Sequence, residues 1–382
     1  MKKIILHVIC LIFCNALLQA QHQYQEISSD FLEENRQIKI QLPRSYESNT
    51  QKEYPVILVL DADYLFEPIA GMVDYLSYWE EIPEAIVIGI MQNKQRRDDF
   101  EIGDEDHLPI ASGEAFFDFL ELELMTFVEN NYRTTPLRII AGHGESANFA
   151  NFFLFRKDPL FQAYINFSPF YSPKMKSRIV SGLERAERRT WYYHGYSENE
   201  PPAKLREMKD LAIEAELIEN PNLNFFKDDH KNATHITSVS QGIANALESI
   251  FSVFKPITPL EYDQNLYHAE SAVTYLEDKY FDISTFFNLE IDIRINDIMF
   301  ASRAIEQKKN WDEYKDLAKL AKKHQPRTLL YSYFLARYHQ EMGNPKKALR
   351  HYQDAYGYEP VGQLTKDLML IRAEEIKEVF GY

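Results

Sequence analysis

The sequence predicts an α/β fold: a mostly parallel sheet covered by helices on both faces, followed by an all-α region of helical hairpins. Three observations predict it. Short continuous apolar runs read as strands buried on both faces. Segments with apolar residues near helical spacing lie between them, the alternation expected of a parallel sheet. Beyond Pro259 no convincing buried strand follows.

Taken in order, residues 1–20 read MKKIILHVICLIFCNALLQA, with Lys2 and Lys3 before an apolar run and small residues Ala16 and Ala20 near its end. That layout predicts a secretory signal peptide cleaved after Ala20, and an exported, periplasmic or extracellular protein. The run is too short and interrupted for a comfortable membrane span, so no integral membrane segment is expected after cleavage. Bulky Phe13 argues against a lipid anchor at Cys14. Cys10 and Cys14 are the 2 cysteines of the chain, so the mature protein would have no thiol, which excludes disulfides, zinc thiolates and cysteine nucleophiles. The formal charge is −16, and losing two lysines with no acid makes it −18. Such a surface repels phosphate backbones, so nucleic acid is not an expected partner.

In residues 21–255, Ile38, Ile40 and Leu42 alternate with polar residues and mark a first strand. Val56–Leu60, Ala85–Ile90 and Leu137–Ala141 read as central strands, with a helix over Ala115–Val128. Ala163–Phe167, Thr190–Tyr193 and Leu223–Phe226 continue the sheet, with a helix over Ala203–Ala215 and a last one over Ile236–Phe254. Two prolines in KPITP, Lys255–Pro259, mark the boundary. Residues 260–382 read as helices. Between Leu329 and Pro360, Ala336, Gly343, Ala348, Tyr352, Ala355 and Pro360 resemble one tetratricopeptide repeat, and a period of 34 relates Ala321 to Ala355 and Pro326 to Pro360. Such an array makes this region the place where a protein partner is expected, though a purely packing role as a helical cap fits as well.

Chemistry is expected at the turn after Leu137–Ala141, in RIIAGHGESANFANFFLFRKDPLFQAYINFSP. With YPVILVLDAD, IVIGI, RRDDF and NATHITSVSQGIANAL, this stretch resembles the Putative esterase family of α/β-hydrolases, which includes siderophore, feruloyl and S-formylglutathione esterases. The resemblance spans about Ile38 to Phe254. It implies an α/β-hydrolase fold, no cofactor, a small-molecule ester or other ligand, and a serine at a sharp strand-to-helix elbow flanked by small residues. Two registers fit that elbow. In one the vertex is Gly144, with Gly142 and Ser146 as small flanks, and the nucleophile is missing. In the other the vertex is Ser146, in Gly144-Glu145-Ser146-Ala147-Asn148, which resembles the carboxylesterase wording but places Asn148 where glycine is usual.

The resemblance further implies His235 as the catalytic histidine, and Glu198 as its acid with Glu200 as second choice. It implies backbone oxyanion donors at Glu145 and Ala62. The carboxylate of Glu145 would put negative charge beside a developing oxyanion. Tyr64, Phe66, Phe170 and Tyr171 could line an apolar pocket. Asp228, Asp229, His230 and His235 match no zinc spacing, so no metal is expected. Three functions follow: a pseudo-hydrolase that binds a ligand or protein, an active carboxylic-ester serine hydrolase using Ser146, His235 and Glu198, or an envelope assembly protein working through its helical region.

Overall fold

The computed structural model describes residues 22–381. The expected leader, with Cys10 and Cys14, lies outside them. The chain divides into two compact units, with the division between Ser252 and Val253.

The first unit is built on an eight-stranded sheet of order β1-β2-β4-β3-β5-β6-β7-β8. Its strands are β1 (Gln23–Ser29), β2 (Glu34–Gln41), β3 (Tyr54–Val59), β4 (Ile86–Ile90), β5 (Thr134–His143), β6 (Ala163–Phe167), β7 (Thr190–Ser197) and β8 (Leu223–His230). The β1–β2 and β2–β4 pairs are antiparallel and all other pairs are parallel. This is an α/β-hydrolase sheet. The continuous apolar runs occupy its centre, where every residue of β3, β4 and β6 is buried, as strands sandwiched by helices require. Strand β1 escapes the sequence pattern because QYQEISS buries only Ile27 and Ser29. It is an edge strand held by its hairpin to β2, with Gln23 opposite Ile40.

The helices of this unit include α1 (Phe66–Tyr78), α2 (Ala111–Asp118), α3 (Glu145–Ala150), α4 (Met175–Glu184), α5 (Pro202–Glu216) and α6 (His235–Ile250). Helix α1 is not among the expected elements, although it buries Phe66, Ile69, Ala70, Val73 and Leu76 at helical spacing. After α2 the chain runs through a π-helical turn, Phe119–Leu124, into Met125–Asn131, so the expected helix is longer and bent out of one regular period. Beneath α3, Phe149 and Phe153 are fully buried, and the Phe117 and Phe153 rings stack at 4.1 Å. Burying each such side chain contributes about 2–3 kcal/mol, which anchors the short helix that follows β5.

The second unit has α7 (Ala272–Phe287), α8 (Ile295–Lys308), α9 (Tyr314–His324), α10 (Leu330–Glu341), α11 (Pro345–Ala355) and α12 (Lys366–Phe380). Each packs on the next. Ala321, Ala336, Ala348, Tyr352 and Ala355 are all fully buried between them. Gly343, at φ 72°, makes the turn into α11, whose first turn carries Pro345. Among the described residues, no helix is long and apolar enough to cross a membrane.

Candidate active site

The C-terminal ends of β5, β7 and β8 bring the candidate residues together, the usual place for ligand chemistry in an open parallel sheet. β5 ends at His143, the chain turns at Gly144 with φ 63° and ψ −113°, and α3 begins at Glu145. A β-carbon would be strained in that backbone conformation, and glycine adopts it at little cost. The close approach is real: a β-carbon on Gly142 would lie 2.6 Å from the Ala147 nitrogen and 2.7 Å from the Ser146 carbonyl carbon. The vertex is therefore Gly144.

Ser146 sits one step into the helix. It is fully buried. Its hydroxyl accepts from the His143 amide at 2.8 Å and donates to the His143 carbonyl at 3.1 Å. It staples the strand end to the helix start, and none of its hydrogen bonds reaches His235. The register with Ser146 at the vertex is corrected on this point: an elbow there would need β5 to run two residues further, where the chain is already helical. Asn148 shows the same limit, because its side chain accepts from the Ser172 amide at 2.9 Å.

His235 is the first residue of α6, after the capping residue Thr234, whose hydroxyl accepts from the Thr237 amide while Thr237 reaches back. The cap sets the direction from which the imidazole enters. A β-carbon built on Gly144 would lie 3.5 Å from His235 Nε2 and 3.7 Å from its Cε1. The other ring nitrogen, Nδ1, lies 2.8 Å from Glu200 Oε1. The acid on the histidine is thus Glu200 and not Glu198. Glu198 lies outward and pairs with Lys209 at 3.3 Å. The loop after β7 is pinned so that Glu200 points inward: Ser197 Oγ and Asn199 Nδ2 both donate to the Ala233 carbonyl, at 2.6 and 2.7 Å. The Glu200 side chain is fully buried, and its Oε2 has no hydrogen-bond partner.

The imidazole of His235 is clamped on both faces. Phe170 stacks on one at 4.7 Å and 13°, and His143 on the other at 4.2 Å and 32°. His143 Nε2 donates to the His235 carbonyl at 3.1 Å, and its Nδ1 lies 3.0 Å from the Tyr64 hydroxyl, which also reaches the Asp61 carboxylate at 3.2 Å. Burial, and then repulsion from His235, pushes the His143 pKa down to about 4, so it stays neutral. Tyr64 and Phe170 therefore belong to the site. Phe66 and Tyr171 do not: Phe66 is fully buried in the core, and Tyr171 bonds buried His194 at 3.2 Å.

The oxyanion side departs from expectation in one place. The Ala62 amide donates to the Ile90 carbonyl at 3.0 Å, so it is committed to the sheet and cannot serve a ligand. The preceding residue, Asp61, is held at φ 51°. Its carboxylate is buried and receives Arg96 Nε at 2.6 Å. Arg96 also binds the carboxylate of Glu145, whose side chain is 61% exposed. The negative charge of Glu145 is thus directed outward and neutralised, while its amide stays at the first turn of α3. Asp228 accepts from the Tyr193 hydroxyl at 2.7 Å and from Asn245 at 2.8 Å, and the described residues contain no group of three or more ligating side chains. Sequence reasoning missed the Asp61–Arg96–Glu145 chain and the His143 stack. Their one visible signal was the clustering of acids after β3 and of arginines at 96–97.

Comparison with known proteins follows the same lines. A family model described as Putative esterase matches residues 29–333. An uncharacterised protein from Capnocytophaga ochracea superposes with a TM-score of 0.82 at 28% identity, covering 94% of this chain and 100% of the other. An IroE-like serine hydrolase from Shewanella oneidensis gives 0.59 at 20% identity, covering 78% and 98%. The BES protein from Bacillus cereus gives 0.53 at 20%, covering 63% and 97%. No protein of curated function matches the sequence.

Proposed function

The chain belongs to the Putative esterase family, and from that premise we propose that it is an exported pseudo-hydrolase, in the sense of a family member without the serine nucleophile, that binds a small acyl compound, an ester or a relative of one, without forming an acyl-enzyme. The observation that carries this reading is Gly144 at the elbow vertex, with His235 Nε2 3.5 Å from where a β-carbon would stand. A nucleophilic serine needs a hydroxyl within hydrogen-bond reach of its base. Here the base and its orienting acid are in place and the hydroxyl is not. The carbonyl oxygen of the ligand would face the Glu145 amide. Tyr64 and Phe170 would flank the acyl group. A tetratricopeptide-like role for the helical unit belongs to the same proposal, supported by the buried small residues of α10 and α11.

Fluorophosphonate labelling read by intact mass and peptide mapping tests it. The expected result is no adduct on the native protein and a stoichiometric adduct at position 144 in Gly144→Ser. Labelling of the native protein at Ser146 would overturn the reading and make this an active serine hydrolase.

A further inference from the structure

Losing the hydroxyl does not disarm the base. His235 is 30% exposed and its Nδ1 is tied to a fully buried carboxylate, which fixes the tautomer with an unprotonated Nε2 facing the elbow. The ring cannot swing away, because Phe170 and His143 hold both faces. Glu200 has no other hydrogen-bond partner, since its Oε2 is buried and unpaired. A proton gained at Nε2 would turn the Glu200 contact into an ion pair. On the other side of the base, nothing beyond the chain neighbours comes closer than 3.5 Å to the β-carbon position of Gly144. An oxygen atom placed there reaches hydrogen-bond distance from Nε2 with a small shift.

Resting on the reading that position 144 supplies no nucleophile, we infer that the site hydrolyses activated carboxylic esters by a serine-free route, in which the His235–Glu200 pair acts as general base on a water molecule beside Gly144. His235 Nε2 takes a proton as the water O–H bond breaks, and the water oxygen bonds to the acyl carbon. The carbonyl π pair moves to the oxygen facing the Glu145 amide. Collapse of the tetrahedral adduct restores the carbonyl and breaks the bond to the leaving oxygen, which receives the proton back from Nε2. Water and ester become acid and alcohol, and no covalent enzyme species forms. His235 is a catalytic residue in this scheme, and Glu200 a positioning residue that holds its tautomer.

The absence of an acyl-enzyme makes the route separable from contaminating esterases. The full-length mature protein is treated with fluorophosphonate, its mass is recorded, and its turnover of p-nitrophenyl acetate is measured beside His235→Gln and Glu200→Gln carried through the same treatment. Turnover should survive the inhibitor and fall roughly tenfold or more in His235→Gln, the low end of what general-base catalysis contributes being about a hundredfold for a well-matched substrate. Glu200→Gln should fall as well, and thermal unfolding checks that both variants are folded. The native rate should show no burst and a normal solvent deuterium isotope effect. Equal turnover in the native protein and His235→Gln would overturn the inference. An acetyl adduct on His235 would also overturn it, because the imidazole itself would then be the nucleophile. A fluorophosphonate mass shift on the native protein instead sinks the pseudo-hydrolase reading, and it is visible before any turnover is measured.

Discussion

The two arms of the site meet the demands of a hydrolase in opposite ways. The elbow arm, β5–Gly144–α3, keeps the backbone geometry and supplies no reactive group. The loop arm, after β7 and β8, supplies a buried acid and an oriented histidine with no hydroxyl to deprotonate. The difference teaches that the shape of an elbow and its chemistry are held by separate residues. Gly142 and Ser146 satisfy the close packing, and Gly144 takes the φ 63° turn without the strain of roughly 1–3 kcal/mol that a side chain there would bring. A single change can therefore remove the nucleophile while the histidine and its acid remain in place.

The largest expected effect sharpens this division. In a Gly144→Ser background, Glu200→Gln should reduce ester turnover about a thousandfold or more, because the amide no longer holds the productive tautomer. Steady-state kinetics on p-nitrophenyl esters would show it, and an unchanged rate would mean that the loop arm is inert. A second test strikes the elbow arm alone. Gly142→Ala would place a β-carbon 2.6 Å from a backbone nitrogen, and should lower stability by about 3 kcal/mol in urea unfolding, since backbone cannot rotate out of the way. Tolerance of that alanine would show that the close approach is not what shapes the turn.

Acid should then weaken both arms together. Burial lowers the pKa values of His143 and His194 to about 4 from an ordinary 6.5. Above pH 6.5 both are neutral folded or unfolded, and their stabilising effect is fully present. As pH falls from 6.5 toward 4 the unfolded chain takes up protons first, so stability is lost, on the order of 3 kcal/mol for each histidine. Denaturant melts at pH 7 and pH 4.5 check this, and His143→Gln should remove about half of the difference, leaving the share of His194. The smallest effect is Glu198→Gln, expected within about 0.5 kcal/mol of the parent in stability and without effect on labelling at position 144. A large loss of labelling would return Glu198 to the site.

Much of this was legible along the chain. The continuous apolar runs of β3, β4 and β6 read as buried strands because parallel strands under two helical layers have no polar face to show. His235 was reached through the family resemblance of NATHITSVSQGIANAL, and its threonine cap became visible only in the structure. The elbow was legible only as two registers, since Gly142 to Gly144 and Gly144 to Ser146 both offer small residues. What the sequence could not show were the contacts between distant segments. Glu198 and Glu200 are two residues apart on one loop, and only the hydrogen bonds from Ser197 and Asn199 to Ala233 decide which turns inward. The Ala62 amide looked available until its pairing with Ile90 of β4 was seen. Edge strand β1 lacked an apolar pattern, because solvent covers most of its residues and its partner supplies the rest. The sequence by itself determined the central parallel strands, since these depend on side-chain size and polarity within a few residues. The choice of acid, the outward turn of Glu145 toward Arg96 and the clamping of His235 between Phe170 and His143 were decided only by tertiary structure, because each depends on the distance between segments far apart in the chain.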